Sequence, residues 1–139
     1  MNLPAANKFD PPAFQNAKAS ALPLVTLCEE PRVTGKVLVG ALRGMASPVV
    51  SDKVRFEYID FELAAGGALA HAWDEALTTK FLYVYRGAPR VGAAREEATA
   101  GELLCLGPGN SLSVDAGAEP AGMLFIAGGP RLGARLRVR

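Results

Sequence analysis

Arg55-Phe56-Glu57-Tyr58-Ile59-Asp60-Phe61-Glu62-Leu63 alternates large apolar residues with acidic ones at a period of two. A helix would need its apolar positions to recur at three and four, and they do not. The inward set starts as Phe56 and Tyr58 and then changes phase to Ile59, Phe61 and Leu63. A one-residue slip exchanges the two faces of a strand, so the change of phase implies a bulge or a strand that crosses between sheets. In a second decisive stretch, Lys80-Phe81-Leu82-Tyr83-Val84-Tyr85-Arg86, both alternating faces are apolar, which suits a central strand covered on both sides.

Further strand-length pieces lie on either side, separated by Gly, Pro, Asp or Ser: 24–27, 36–42, 102–106, 111–114, 122–127 and 135–138. Turn signals every 8 to 20 residues or so are what a sandwich or barrel of antiparallel strands produces. Fifteen Gly and ten Pro without a period agree with a turn-rich all-β chain and exclude collagen and a helical bundle. One short helix is expected near Ala93–Ala100, where Ala and Glu concentrate. Residues 1–23, with four Pro and little apolar periodicity, read as an extended lead-in, and 24–139 read as one barrel domain.

Fifteen Lys and Arg against fourteen Asp and Glu leave no strong field for nucleic acid or an acidic membrane. No apolar run approaches the roughly 20 residues of a membrane span, and the N-terminus has no secretory pattern, so a cytoplasmic protein is expected. Cys28 and Cys105, 77 positions apart and without a CxxC, are expected to be buried free thiols. Arg135, Arg137 and Arg139 fall on one face of a final strand, where they would discourage edge-to-edge pairing.

No catalytic residue emerges. Ser20, Ser47, Ser51, Ser111 and Ser113 lack a nucleophile-elbow setting, and 107–109 and 128–130 lack the residues of a phosphate loop. The pairs Glu29–Glu30 and Glu96–Glu97 point to opposite faces if extended, the wrong geometry for shared acid–base work. The chain has one histidine, His71, expected on the surface or rim. With Asp74 and Glu75 it makes the one metal site that can be drawn, a nitrogen and two carboxylates.

Four stretches, Phe56–Gly67, Phe81–Gly87, Ala100–Gly107 and Met123–Pro130, resemble the C-terminal half of the pirin family. The opening, Asn2–Lys8 and then Pro11–Gln15, is similar to the segment that leads out of the first pirin barrel. The resemblance implies a cupin-type jelly-roll β-barrel, one half of a bicupin. It also implies iron in the other, N-terminal barrel, held by three His and one Glu, with quercetin 2,3-dioxygenase-like activity and, in animal members, a role as a nuclear transcription cofactor.

The cupin motifs can be laid on this half residue by residue. The second, G-x5-P-x-G-x2-H-x3-N, falls on Gly101, Gly107, Gly109, Leu112 and Ala116, so Leu112 stands at the histidine ligand. The first ends E-x6-G, and counting back from Gly87 puts Lys80 at the glutamate and either Trp73 and Glu75 or Asp74 and Ala76 at the two histidines. An ammonium repels a dication and an isobutyl group cannot bind one, so no metal is expected in this barrel. The expectation is a non-catalytic structural or interaction half whose partner is a second copy or an N-terminal cupin barrel, with no direct nucleic-acid or membrane partner. The alternatives are an iron dioxygenase, and a small-molecule barrel whose cavity is lined by Phe56, Tyr58, Trp73, Lys80, Tyr83 and Leu112.

Overall fold

A computed structural model of the chain describes residues 5–51 and 53–129. Among these residues two single-turn 3-10 helices, Ala5–Asn7 and Ala19–Ala21, precede twelve strands. These are β1 (Leu24–Cys28), β2 (Val33–Val39), β3 (Ala41–Leu42), β4 (Met45–Ala46), β5 (Phe56–Leu63), β6 (Ala68–Ala72), β7 (Thr79–Arg86), β8 (Arg90–Val91), β9 (Glu96–Glu97), β10 (Leu103–Cys105), β11 (Ser111–Asp115) and β12 (Ala121–Gly128).

A six-stranded sheet, β1-β2-β5-β12-β7-β10, faces a four-stranded one, β6-β11-β8-β9, and β3 pairs with β4. Every ladder among the described residues is antiparallel. The result is a jelly roll, one of the sandwich-or-barrel forms that the strand spacing allows and the form that the family resemblance implies. Its core forms where the inner faces meet: Ile59, Phe61 and Leu63 of β5, Met123 and Phe125 of β12, Leu82 and Val84 of β7, Val33 and Val37 of β2, Leu69 of β6, and Leu112 and Val114 of β11.

The change of phase expected inside β5 does not occur. Its ladder with β12 runs without a break from Phe56↔Gly128 to Leu63↔Ala121. The irregularity lies on β2, which steps from Val37↔Ile59 to Val39↔Tyr58. The inward set of β5 is therefore continuous, Glu57, Ile59, Phe61 and Leu63, while Phe56 and Tyr58 lie half-buried on the outer face, their ring centroids 6.2 Å apart. The same holds in β7, where Lys80, Leu82 and Val84 point in and Phe81, Tyr83 and Tyr85 lie half-buried outside. The outer face of this sheet thus carries large apolar residues as well, half-buried rather than fully exposed.

A second bulge lies on β7, where Gly122 pairs with Arg86 and Met123 with Val84, so that Tyr85 is the extra residue and sits against a missing side chain. A Cβ at Gly122 would stand 2.5 Å from the Tyr85 ring. Glycine thus lets that ring cross the strand, and the Tyr85 hydroxyl donates to Asp60 Oδ1 at 2.7 Å.

Two more expectations are corrected. Residues 93–100 form no helix: Gly92 and Arg95 adopt positive φ, Arg95 N–H donates to the Gly92 carbonyl at 3.0 Å, and the segment becomes the turn of the β8–β9 hairpin. Alanine-rich composition is outweighed by cross-strand pairing, which sets Arg90 opposite Glu97. Cys28 and Cys105 are exposed, not buried, because each ends an edge strand and Cys105 falls on the outer face beside half-buried Leu104.

The lead-in packs on the loop before β5. Gln15 brackets Val50, donating to its carbonyl at 2.6 Å and accepting its N–H at 3.0 Å, and Asp10 pairs with Lys53. The expected arginine-edged strand, and with it the end of the 24–139 span, lies outside the described residues. Among the described residues no helix is long and apolar enough to cross a membrane.

Candidate ligand site inside the barrel

Register alone brings two opposite charges onto one row of the inner face. Ala127 of β12 is the Cα partner of both Glu57 on β5 and Lys80 on β7. The two therefore flank a fully buried methyl group at about 9–10 Å, two interstrand spacings. On the opposite sheet His71 of β6 is the partner of Leu112 of β11, and both side chains are buried.

His71 lies in the barrel, not on the rim. β6 reads Ala68-Leu69-Ala70-His71-Ala72, with Leu69 and His71 buried and the three alanines exposed. The imidazole packs among Phe61, at 5.2 Å between centroids, Phe125, at 4.8 Å edge-on, and Trp73, at 6.0 Å. Its Nε2 stands 3.6 Å from Glu57 Oε2, close enough for an ion pair if the ring is protonated and too far for a hydrogen bond. Trp73, just past β6, lies 5.1 Å from Phe125 and is tied down by its backbone N–H to the Asn110 carbonyl at 3.0 Å.

Lys80 is 6% exposed. Its Nζ donates to the Gly109 carbonyl at 3.1 Å and lies 5.5 Å from the centre of the Trp73 ring, a cation–π distance. Three buried polar atoms of this cluster have no hydrogen-bond partner among the described residues: Glu57 Oε2, His71 Nε2 and Trp73 Nε1. Buried polar groups are nearly always satisfied, and leaving one bare costs about 1–3 kcal/mol, so three together mark a feature that packing alone does not explain. Beside the cluster opens a cleft of about 530 Å³, walled by Glu75, Thr78, Leu106 and the 107–110 loop, with Lys80 in its lining.

The sequence-derived candidates separate. Asp74 accepts from Arg55 Nη1 and from the Ala76 N–H, each at 2.8 Å, and Glu75 lies 3.4 Å from Asn110 Nδ2, so neither joins His71. Of the expected cavity lining, Trp73, Lys80 and Leu112 are inward, whereas Phe56, Tyr58 and Tyr83 belong to the outer face. Glu57 was not anticipated, although stepping back by twos from Leu63, Phe61 and Ile59 leads to it.

The geometry also revises the motif register. In a register that starts from His71, the residues set against the histidine pair are His71 and Trp73, both buried, with Lys80 over the Trp73 ring and Leu112 the strand partner of His71. Six residues separate Trp73 from Lys80, more than the three or four of the motif, which is why counting back never reached His71. Of the four places only His71 bears a metal ligand, and the ammonium of Lys80 opposes any dication. Among the described residues no three His, Cys, Asp or Glu side chains converge. The donor set does not fit a cupin metal.

Comparison with known proteins places this geometry. The family model described as the pirin C-terminal cupin domain matches residues 58–136. No curated protein matches by sequence. Among solved structures, GK1651 from Geobacillus kaustophilus is similar over 95% of this chain and 53% of its own, at 26% identity and a TM-score of 0.81. A quercetin 2,3-dioxygenase from Acinetobacter baumannii matches over 95% of this chain and 44% of its own, at 22% identity and a TM-score of 0.85. The polyketide cyclase RemF from Streptomyces resistomycificus matches over 86% and 82%, at 19% identity and a TM-score of 0.59. The chain spans about half the length of the first two.

Proposed function

The chain belongs to the pirin family through its C-terminal cupin domain, and on that premise we propose that it is a cupin half without a metal of its own, acting in the cytoplasm as the structural and interaction half of a bicupin-type assembly. One observation carries the reading: Leu112 and Lys80 occupy two of the ligand places, and neither side chain can serve a dication.

The outer face of the six-stranded sheet supports an assembly. Tyr58, Phe81, Tyr83, Leu124 and Ile126 lie side by side there, and Leu103 at the edge is 57% exposed. A contiguous apolar face of this kind favours association, and a second copy of the chain is the partner that this reading names. Dioxygenase chemistry of the kind named for the Acinetobacter protein would, on this reading, belong to a metal-bearing partner barrel. Light scattering on the purified chain tests the assembly: a dimer mass at micromolar concentration supports the second copy, and a monomer mass contradicts it.

A second reading, a barrel that also holds a small molecule, is favoured by the three unpartnered polar atoms of Glu57, His71 and Trp73.

A further inference from the structure

Lys80 is the least expected residue of the interior. A lysine is seldom nine-tenths buried without a carboxylate, because desolvating an ammonium costs several kcal/mol. Lys80 joins no ion pair among the described residues. Its hydrogen bond to the Gly109 carbonyl uses one of its three N–H groups. The carboxylate nearest in register, Glu57, lies across Ala127 and is turned to His71. The inner-face carboxylate is thus aimed at His71 and away from Lys80, and Lys80 lies in the lining of the cleft.

From this cleft and the buried ammonium in its lining, we infer that the barrel mouth binds a small monoanion, a carboxylate carried on an apolar body. The carboxylate takes the free N–H groups of Lys80, and the body lies against Leu106 and Pro108. A volume of about 530 Å³ falls within the range of small-molecule sites, about 300–1,000 Å³. A single negative charge fits better than a phosphate. Glu75 stands in the wall and Glu57 behind, one ammonium cannot balance a dianion, and Pro108 removes an amide that a phosphate would use. The inference rests on the small-molecule reading and on a barrel without metal.

The protein carries its own reporter, since Trp73 is the single tryptophan and Lys80 lies over its ring. Benzoate is titrated into the chelator-treated protein while Trp73 fluorescence is followed, with neutral benzamide as the isosteric control. The expected result is a saturable change with benzoate and binding roughly ten- to a hundredfold weaker for benzamide, the scale of losing a hydrogen bond to a charged group. Lys80→Met removes the benzoate response, and Lys80→Arg retains part of it. The wild-type contrast between the two probes stands even if Lys80→Met does not fold. Equal responses to benzoate and benzamide, or no saturable response to either, overturns the anion site. Binding that appears only after a divalent metal is restored overturns the metal-free reading as well, which separates the two failures.

Discussion

Glu57 Oε2 and His71 Nε2 stand 3.6 Å apart inside the barrel, the first projected from the six-stranded sheet and the second from the four-stranded one. Neither atom has a hydrogen-bond partner among the described residues, although the imidazole is packed against Phe61, Trp73 and Phe125. A pair held in this way is poor at stabilising the fold, because desolvation offsets most of its attraction.

The pair is therefore expected to behave asymmetrically on substitution. His71→Phe alone strands the carboxylate and costs about 3 kcal/mol, whereas Glu57→Leu with His71→Phe recovers most of that loss. Urea unfolding of the two single variants and of the double variant checks it. A double variant that loses as much as both single changes together contradicts the account.

Tyr85 gives a pH signature. Burial first, and then its hydrogen bond to Asp60, push the phenol well above the usual tyrosine range. A group with a raised folded pKa contributes stability that is fully present below its unfolded value, near pH 10, and is lost as pH rises through the folded value. The difference in phenolate absorbance between wild type and Tyr85→Phe should appear only well above pH 10 while the protein stays folded. Ionisation of Tyr85 in the folded protein at the ordinary value contradicts the contact with Asp60.

Gly122→Ala should destabilise by about 1–3 kcal/mol, since the added methyl meets the Tyr85 ring at 2.5 Å within a tightly packed strand pair. Combining it with Tyr85→Ala should cost less than the two changes summed, because the clash disappears with the ring. Thermal unfolding of the three variants measures the coupling. Strict additivity rules out the crossing of ring over strand.

Cys28 and Cys105 should both react with an aromatic disulfide reagent in the native protein, without denaturant, because both are exposed. Two thiols per chain released promptly is the expected count. Labelling only after unfolding restores the buried reading.

What sequence could reveal followed the contrast between the two faces of each strand. β5, β7 and β12 were recognisable as strands because their length and period exclude a helix. Their inner faces were harder to assign, since Phe56, Tyr58, Phe81 and Tyr83 make the outer face of the sheet apolar too. That loss of contrast hid Glu57 and produced a bulge on the wrong strand. β6 went unseen for a related reason: Ala68, Ala70 and Ala72 form its outer face, and alanine does not mark a solvated side as a charged residue does. With β6 unseen, His71 had no strand to carry it inward. Motif counting singled out Lys80 and Leu112, both of which are buried, whereas the longer stretch between Trp73 and Lys80 kept the same counting from His71. Exposed Cys105 shows the limit of local composition, since three leucines around it did not bury an edge strand.

The most direct test of a metal-free barrel is metal loading. Purified protein is incubated with excess ferrous iron, manganese or zinc, passed through a desalting column, and assayed by plasma mass spectrometry against protein concentration. With Lys80 and Leu112 at ligand places, the account predicts retained metal far below one ion per chain for all three. Near-stoichiometric retention of any of them, lost in a His71→Ala variant, would contradict it and make His71 and Glu57 the heart of a metal centre.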